Sequence, residues 1–290
     1  MTQNKKTIRN NRFVPLRPDS YTRQYQRLIR RYVGMLKAEL EKYVNNVFKK
    51  DEEGDGDRAQ EIAEIITILL LFWNSRKTEV PAEIQSLFNK VNSFNDAQFV
   101  KMIKAISGLS IIRANGEMGQ TLTNPKDVAD LLGEVDVYRL EPFLPALRKT
   151  WQDNQLTYVD ESIRKLIIDS QGIMTTGILL AATNAEIQKQ LDGLFTAAEN
   201  RMYRGVSEQI TVLDSSLDRN RQKSFRGKAY EWVTMRDERV RGTPGGKYPK
   251  ARPSHFHRDT LIFYWSDPPQ GGHPGEAEGC RCKAVMRLMR

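Results

Sequence analysis

All cysteines and histidines of this 290-residue chain lie near its C-terminal end. Cys280 and Cys282 are separated by one residue, and they are preceded by His255, His257 and His273. About four thiolate and imidazole ligands, arranged as a tetrahedron, hold a structural zinc ion. His255, His273, Cys280 and Cys282 therefore form a candidate zinc site. The sequence leaves one alternative open, which is a pair of half-buried thiols beside polar loop histidines.

A catalytic metal site is a second interpretation of the same segment. The three histidines together with Asp237 include the side-chain types that hold a metal beside a water-activating base in metal-dependent nucleases. Their spacing matches no nuclease motif, and the chain contains neither a phosphate-cradling glycine loop nor a Gly-x-Ser-x-Gly elbow. We therefore expect no enzymatic activity, and a DNA-processing nuclease is the alternative.

Three short segments that are rich in aromatic and β-branched residues surround the histidines and cysteines. They are residues 230–235, 260–265 and 282–288. Alternation of side-chain types in segments of this length predicts strands. Three strands with helical support can form a small stable sheet, so we expect a short antiparallel sheet in a C-terminal domain of residues 219–290.

A charged turn follows the first of these strands. Asp237 is expected to cap the chain reversal, and Arg239 or Arg241 is expected to pair with Glu238, Asp259 or Asp267. A two-pronged pair between arginine and carboxylate fixes loop geometry better than a lysine pair would. The sequence therefore predicts a structural turn of Asp237, Glu238, Arg239 and Arg241.

The rest of the chain has helical periodicity. Apolar residues from Tyr25 to Val47 recur at i, i+3, i+4 and i+7, which predicts an amphipathic helix of about 30 residues. Asn95 and Asp96 are predicted to cap a separate helix over 97–107. Other helices are predicted at 58–73, 80–91, 124–132 and 159–216.

The overall prediction is a mainly α N-terminal body with a small α+β C-terminal domain. We expect three parts along the chain, namely a basic flexible arm (1–18), a helical body (19–218) and the C-terminal domain (219–290).

The charge is unevenly distributed along the chain. Residues 1–50 carry 13 Lys and Arg against 3 Asp and Glu, residues 51–218 carry 16 against 26, and residues 219–290 carry 16 against 7. Basic ends indicate a polyanion or an acidic partner, and a solvated charged face is the alternative. No apolar run reaches the roughly 18 residues that span a bilayer, so we expect no membrane partner. The candidate nucleic-acid contacts are Arg23, Arg27, Arg30, Arg31, Lys247, Lys250 and Arg252.

The order of motifs in the C-terminal segment resembles a known family. The segment contains YEWVTMRDERVR, SHFHRDTLIFYW and DPPQGGHPGEAEGCRCKAV in this order. This order is similar to that of the head-morphogenesis domain of phage Mu protein F-like minor head proteins. Many relatives have Cys-x-x-Cys where this chain has Arg239-Val240-Arg241, and GTPGGKYPKARP is an insertion before the histidines.

The resemblance implies a function in phage assembly. It implies a minor, capsid-internal head protein of a tailed bacteriophage, present in the virion head and in the host cytoplasm during assembly. Such a protein associates with the portal protein and with the major capsid or scaffold protein, and it acts in head assembly and in DNA packaging or ejection. Packaged double-stranded DNA would be contacted through phosphates without sequence preference, and zinc is the one candidate cofactor.

Overall fold

The fold is mainly helical and has a small antiparallel sheet near its C-terminal end, as predicted. The computed structural model describes residues 13–49, 58–107, 111–114, 117–122, 141–225 and 227–287. Its contacts divide the chain into two compact units. The helical unit comprises Asp19–Lys90 and Ala146–Gln209, and the sheet unit comprises Met1–Pro18, Val91–Pro145 and Ile210–Arg290. Each unit is assembled from separated segments, whereas the predicted domains are continuous in sequence.

Long helices make up most of the described residues. Helix α1 spans Asp19–Lys49, α2 spans Arg58–Arg76, α3 spans Val80–Ser107, α4 spans Leu144–Leu179 and α5 spans Asn184–Ser224. The division between the two units falls within α3 and within α5. No helix within the described ranges combines the length and apolar character that crossing a membrane requires.

The predicted amphipathic helix at the N-terminal end is confirmed as α1. Its periodic positions are buried, with Tyr25, Ile29 and Leu36 at most 1% exposed. Polar ends of buried aromatic side chains find partners inside the helical unit, as buried polar groups require. The Tyr32 hydroxyl donates to a Glu83 carboxylate oxygen at 2.8 Å, and the Trp73 indole N–H donates to Asp160 Oδ1 at 2.7 Å.

The predicted break at Asn95 and Asp96 is wrong, because α3 runs through both residues without interruption. Asn95 is completely buried and Asp96 is 5% exposed, so neither serves as a surface cap. The Asn95 amide instead donates to carboxylate oxygens of Asp214 and Asp218 on α5. A residue type that usually caps helices is used here for a contact between two helices.

The sheet of the sheet unit has three strands. Strand β3 spans Ala229–Val233, β4 spans Ile262–Tyr264 and β5 spans Lys283–Arg287. Their order is β4-β3-β5, with antiparallel pairing on both sides of β3. β4 and β5 lie within the segments that the sequence predicts as strands, and β3 begins one residue before its predicted segment. A separate antiparallel pair joins β1 (Ile111–Ala114) to β2 (Glu117–Leu122).

Two apolar clusters hold this sheet in place. In one, Val285 and Met286 of β5 pack with Phe99 and Met102 of α3 and with Phe225, the residue that follows α5. The second cluster is rich in aromatic residues and thiols, and it contains Tyr230, Trp232, Trp265, Cys280, Cys282 and Ala284. The cysteines therefore belong to the core of the sheet unit and not to a surface loop.

Part of the predicted arm is packed. Residues 1–12 lie outside the described residues, as does the predicted helix over 124–132. Phe13 packs against the cluster of Phe99 and Met102, and the backbone N–H of Leu16 donates to Gln98 Oε1 at 3.4 Å. The described end of the arm is therefore attached to the sheet unit.

Candidate metal centre

Three of the four predicted zinc ligands meet at one end of the sheet. His255 is held just before a short 3-10 helix, Phe256–Arg258, by a hydrogen bond from its backbone N–H to the Arg241 carbonyl at 3.0 Å. Cys280 and Cys282 lie on the segment that enters β5. All three side chains are buried, with His255 2%, Cys280 4% and Cys282 3% exposed.

The distances between the three donor atoms suit a metal ion. His255 Nδ1 lies 3.5 Å from Cys280 Sγ and 3.7 Å from Cys282 Sγ, and all three atoms lie within 4.8 Å of one another. Bonds of about 2.1 Å to nitrogen and 2.3 Å to sulfur at a tetrahedral angle place the two donors about 3.6 Å apart. The two observed nitrogen–sulfur distances match this value, so the group could hold a metal ion without rearrangement of the backbone.

The thiols are electrostatically unequal. The hydrogen bond from the Cys282 thiol holds the pKa of Cys280 well below its usual range, against the opposing effect of burial. The contact with Cys280 and burial together raise the pKa of Cys282. Cys280 also accepts a hydrogen bond from the Gly275 N–H at 3.3 Å. A thiolate is the form that binds a metal, and the lowered pKa of Cys280 favours its thiolate form.

Gly275 has a geometric reason to be glycine. Its φ is +83°, and a Cβ there would collide with the Ser215 hydroxyl of α5. The bend therefore approaches the helix closely while its N–H points at Cys280 Sγ. A side chain at this position would displace the loop that carries the thiol.

His273, the fourth predicted ligand, lies elsewhere. Its Nδ1 is 2.8 Å from the Tyr230 hydroxyl, and its ring contacts Trp265 with a centroid distance of 4.9 Å. Burial lowers the pKa of His273, which favours a neutral ring in an aromatic environment. Within the described parts of the chain, no further His, Cys, Asp or Glu joins the group of His255, Cys280 and Cys282.

His255 is buried against an aromatic ring. The Trp232 ring meets the imidazole edge to face at a centroid distance of 5.1 Å, and the Arg258 guanidinium lies 4.9 Å above Trp232. His255 Nε2 is buried and has no hydrogen-bond partner among the described residues. A tetrahedral ion bound to three protein ligands would have a fourth position for water or another donor.

The charged turn has the predicted cap but a different ion pair. Asp237 Oδ1 accepts a hydrogen bond from the Arg239 backbone N–H at 3.0 Å, which closes the chain reversal. The two-pronged partner of Asp237 is Arg281, at 2.7 and 2.5 Å. Arg241 donates to the Glu278 carbonyl, and Arg239 lies 3.6 Å from Asp237. Neither arginine of the turn forms the expected two-pronged pair.

Arg281 was not among the predicted site residues. It stands between Cys280 and Cys282, so its contact with Asp237 joins the turn directly to the thiol segment. Its position inside Cys-Arg-Cys was the available signal, because a charge flanked by two buried residues needs a partner. Glu238, the remaining member of the predicted turn, lies 3.8 Å from Lys247 and is exposed.

We expect Asp237→Asn to destabilise the protein modestly and in a pH-dependent way. The Arg281 guanidinium lowers the pKa of Asp237 to about 2. Because the folded pKa lies below the ordinary value, the stabilisation is present above about pH 4 and disappears as the pH falls through about 2. The carboxylate is 35% exposed, so we expect about 1 kcal/mol at neutral pH. Urea unfolding between about pH 6 and pH 3 should show this difference shrinking, whereas Glu238→Gln should show little difference at any pH.

The candidate nucleic-acid contacts fall into two groups. In the helical unit, Arg30 pairs with Glu199 at 3.0 Å and Arg31 pairs with Glu83, while Arg23 and Arg27 are exposed. In the sheet unit, the loop residues Lys247, Lys250 and Arg252 are exposed. The structure thus places acids against three of the seven cations, Arg30, Arg31 and Lys247, and leaves the loop cations exposed.

The histidines of the nuclease interpretation are dispersed. His257 is exposed and its Nδ1 lies 2.8 Å from the Ser254 hydroxyl. His273 is hydrogen-bonded to Tyr230, and Asp237 is hydrogen-bonded to Arg281. Only His255 takes part in the described metal-ligating group. Its partners are thiols and not carboxylates.

Comparison with known proteins identifies no family. No family model matches the chain, and no solved structure matches it. An uncharacterized protein of Haemophilus influenzae is 28% identical over 130 residues, which are 44% of this chain and 27% of that protein. The chain therefore matches about a quarter of the length of this relative, and the similarity assigns no activity.

Proposed function

We propose that the chain is a minor head protein of a tailed bacteriophage, internal to the capsid and associated with the portal protein. In this role it acts in head assembly, with contacts to the major capsid or scaffold protein. The observation that carries the proposal is the two-pronged contact between Asp237 and Arg281. It joins residues 237–241 (DERVR) to residues 280–282 (CRC), which belong to two of the three segments that carry the family resemblance.

The organisation of this module supports a structural role. Cys280 and Cys282 lie in the aromatic core, and His255 Nδ1 lies 3.5 and 3.7 Å from their sulfur atoms. Zinc bound to these three residues would staple strand β5 to the loop before β4. A metal that closes a small sheet contributes directly to folding. The buried position suits such a staple better than it suits turnover of a large substrate.

Contacts with packaged DNA form a separate part of the proposal. The exposed loop cations Lys247, Lys250 and Arg252 are suited to sequence-independent phosphate contacts. The combined change of these three to Ala is expected to reduce the slope of log affinity against log salt by about 2–3, since each phosphate contact contributes roughly 0.9. Fluorescence anisotropy with random-sequence duplex DNA measures this slope.

The matched control for the loop is the combined change of Arg30 and Arg31 to Ala. Both cations are paired with acids, so their loss should change the salt slope less than loss of the loop cations. An affinity for DNA that does not vary with salt would contradict phosphate contacts altogether. Equal slopes of log affinity against log salt for the wild type and the loop variant would show that the loop does not contact DNA.

The composition of purified particles tests the assembly function. Mass spectrometry of gradient-purified, nuclease-treated virions from a host that encodes the chain should detect it at far lower abundance than the major capsid protein. Absence from intact particles and from assembly intermediates would refute the proposal. Metal-dependent DNA cleavage that is lost in His255→Ala would instead favour the nuclease alternative.

A further inference from the structure

A buried amine lies between two buried carboxyl groups in the sheet unit. Lys283 Nζ is 2.6 Å from Asp214 Oδ2 and 2.5 Å from Asp218 Oδ2. Asp214 is 2%, Asp218 7% and Lys283 5% exposed. Lys283 belongs to β5, and the two acids lie one turn apart on α5. The contact therefore connects the sheet to the longest helix of the chain.

Asn95 completes the arrangement from α3. Its amide Nδ2 donates to Asp218 Oδ1 at 2.7 Å and to Asp214 Oδ1 at 2.8 Å. Arg221 Nη1 donates to Asn95 Oδ1 at 2.5 Å, which fixes the orientation of the amide and strengthens it as a donor. In each carboxyl group, one oxygen thus accepts a hydrogen bond from the amine of Lys283 and the other accepts one from the amide of Asn95.

We propose that Lys283 and Asp218 join in an intramolecular isopeptide bond, with Asp214 as the proton acceptor and Asn95 as the group that polarises the reacting carbonyl. The contact in the structure is the arrangement before reaction. The inference is independent of the proposed assembly function, because it rests on these four side chains alone.

The reaction balances without a further reagent. Asp214 takes a proton from the Lys283 ammonium, and the resulting amine attacks Cγ of the protonated Asp218 carboxyl. A bond forms between Nζ and Cγ, and the bond between Cγ and Oδ2 breaks. Nitrogen loses two protons in all, the ammonium proton and one proton of the attacking amine. Asp214 relays one of them to the departing Oδ2 hydroxyl, which leaves as water. Asp214 retains the other and ends protonated.

The roles of the two acids follow from their surroundings. Burial raises the pKa of Asp218, with a further contribution from the neighbouring charge of Asp214, so this carboxyl tends to carry the proton that makes its carbon electrophilic. The Asn95 donor at Oδ1 occupies the position where negative charge develops during attack, as in other acyl transfers. The Lys283 ammonium must lose a proton before its nitrogen can attack, so we expect the bond to form slowly after folding.

The cross-link would close a loop that contains two of the three strands of the sheet. Asp218 and Lys283 are 65 residues apart in sequence, and strands β3 and β4 and the group of His255, Cys280 and Cys282 lie between them. Joining the two ends would tie the sheet permanently to α5. Such a bond limits the freedom of the unfolded chain in the same way as a disulfide does, and it persists in a reducing compartment.

Intact-mass spectrometry of the denatured full chain tests this inference. After prolonged incubation of the folded protein, the wild type should be lighter than its sequence by one water. Tryptic digestion should yield a branched peptide that joins residues 205–219 to residues 282–287. The branched peptide excludes a succinimide, which also loses one water but leaves both peptides linear.

Two variants serve as controls. Lys283→Arg keeps the cation but lacks a reactive amine, so its mass should equal that of its sequence. Asp214→Asn removes the proton acceptor and should slow or abolish the loss of water. If either variant fails to fold, the wild-type spectrum still decides. A folded wild type at full mass, with linear peptides only, would show that the group is an ion pair and would overturn the proposal.

Discussion

Arg221→Met is expected to lower the free energy of unfolding by about 3–5 kcal/mol, because it leaves a buried carboxylate without its partner. The guanidinium of Arg221 is 1% exposed and Glu141 is 9% exposed. Two of its nitrogens donate to Glu141 at 2.6 and 3.1 Å, and a third contact reaches Asn92 Oδ1 at 2.7 Å. Urea unfolding at neutral pH measures the loss.

A nearby arginine on the same helix provides the matched control. Arg219 pairs with Glu276 at 2.7 Å, but both side chains are 38% exposed. Arg219→Met should therefore change stability by only about 0–1 kcal/mol. Adding Glu141→Gln to Arg221→Met should restore part of the loss, since it removes the unpaired charge. Equal effects of the two arginine variants would contradict the importance of the buried network.

Cys282→Ser is expected to destabilise the protein strongly only when zinc is present. A metal that binds the folded state alone stabilises it by about 2.7 kcal/mol at a concentration 100 times its dissociation constant. The wild type should lose this contribution in the presence of a chelator, and the variant should not respond to the chelator. Thermal melts of the wild type and the variant, each with zinc and with chelator, give the four melting temperatures to be compared.

The other histidines separate the metal interpretation from simple repacking. His257→Ala should leave the zinc-dependent shift intact, because His257 is exposed and is bonded to Ser254. His273→Ala should lower stability with and without zinc alike, since His273 contacts Tyr230 outside the group. A zinc-dependent loss in His273→Ala would restore His273 to the ligand set predicted from the sequence.

The periodic and local features of the fold were predictable from the sequence. The apolar spacing from Tyr25 to Val47 predicted α1 because a helix that buries one face must repeat its apolar residues every three to four positions. The aromatic segments at 230–235 and 260–265 predicted β3 and β4 for the corresponding reason in strands. Clustering of His255 with Cys280 and Cys282 was visible because cysteine and histidine are rare in this chain.

Long-range pairing was not predictable in this way. Asn95 was predicted to cap a helix because the acids that it contacts are 119 and 123 residues away in sequence. Arg281 was overlooked because its partner Asp237 lies 44 residues earlier. His273 was included among the ligands by type and proximity in sequence, whereas its location depends on how the loop folds against Tyr230 and Trp265. Tertiary contacts overrode local propensity at each of these residues.

Metal content is the most direct test of the proposal that His255, Cys280 and Cys282 bind a metal ion in the sheet unit. The full chain, purified without chelators or a histidine tag, should contain about one zinc per molecule, in keeping with a single site of these ligands. The combined change of Cys280 and Cys282 to Ser should contain none. A folded wild type that is free of metal and takes up neither zinc nor cobalt on titration would contradict the account.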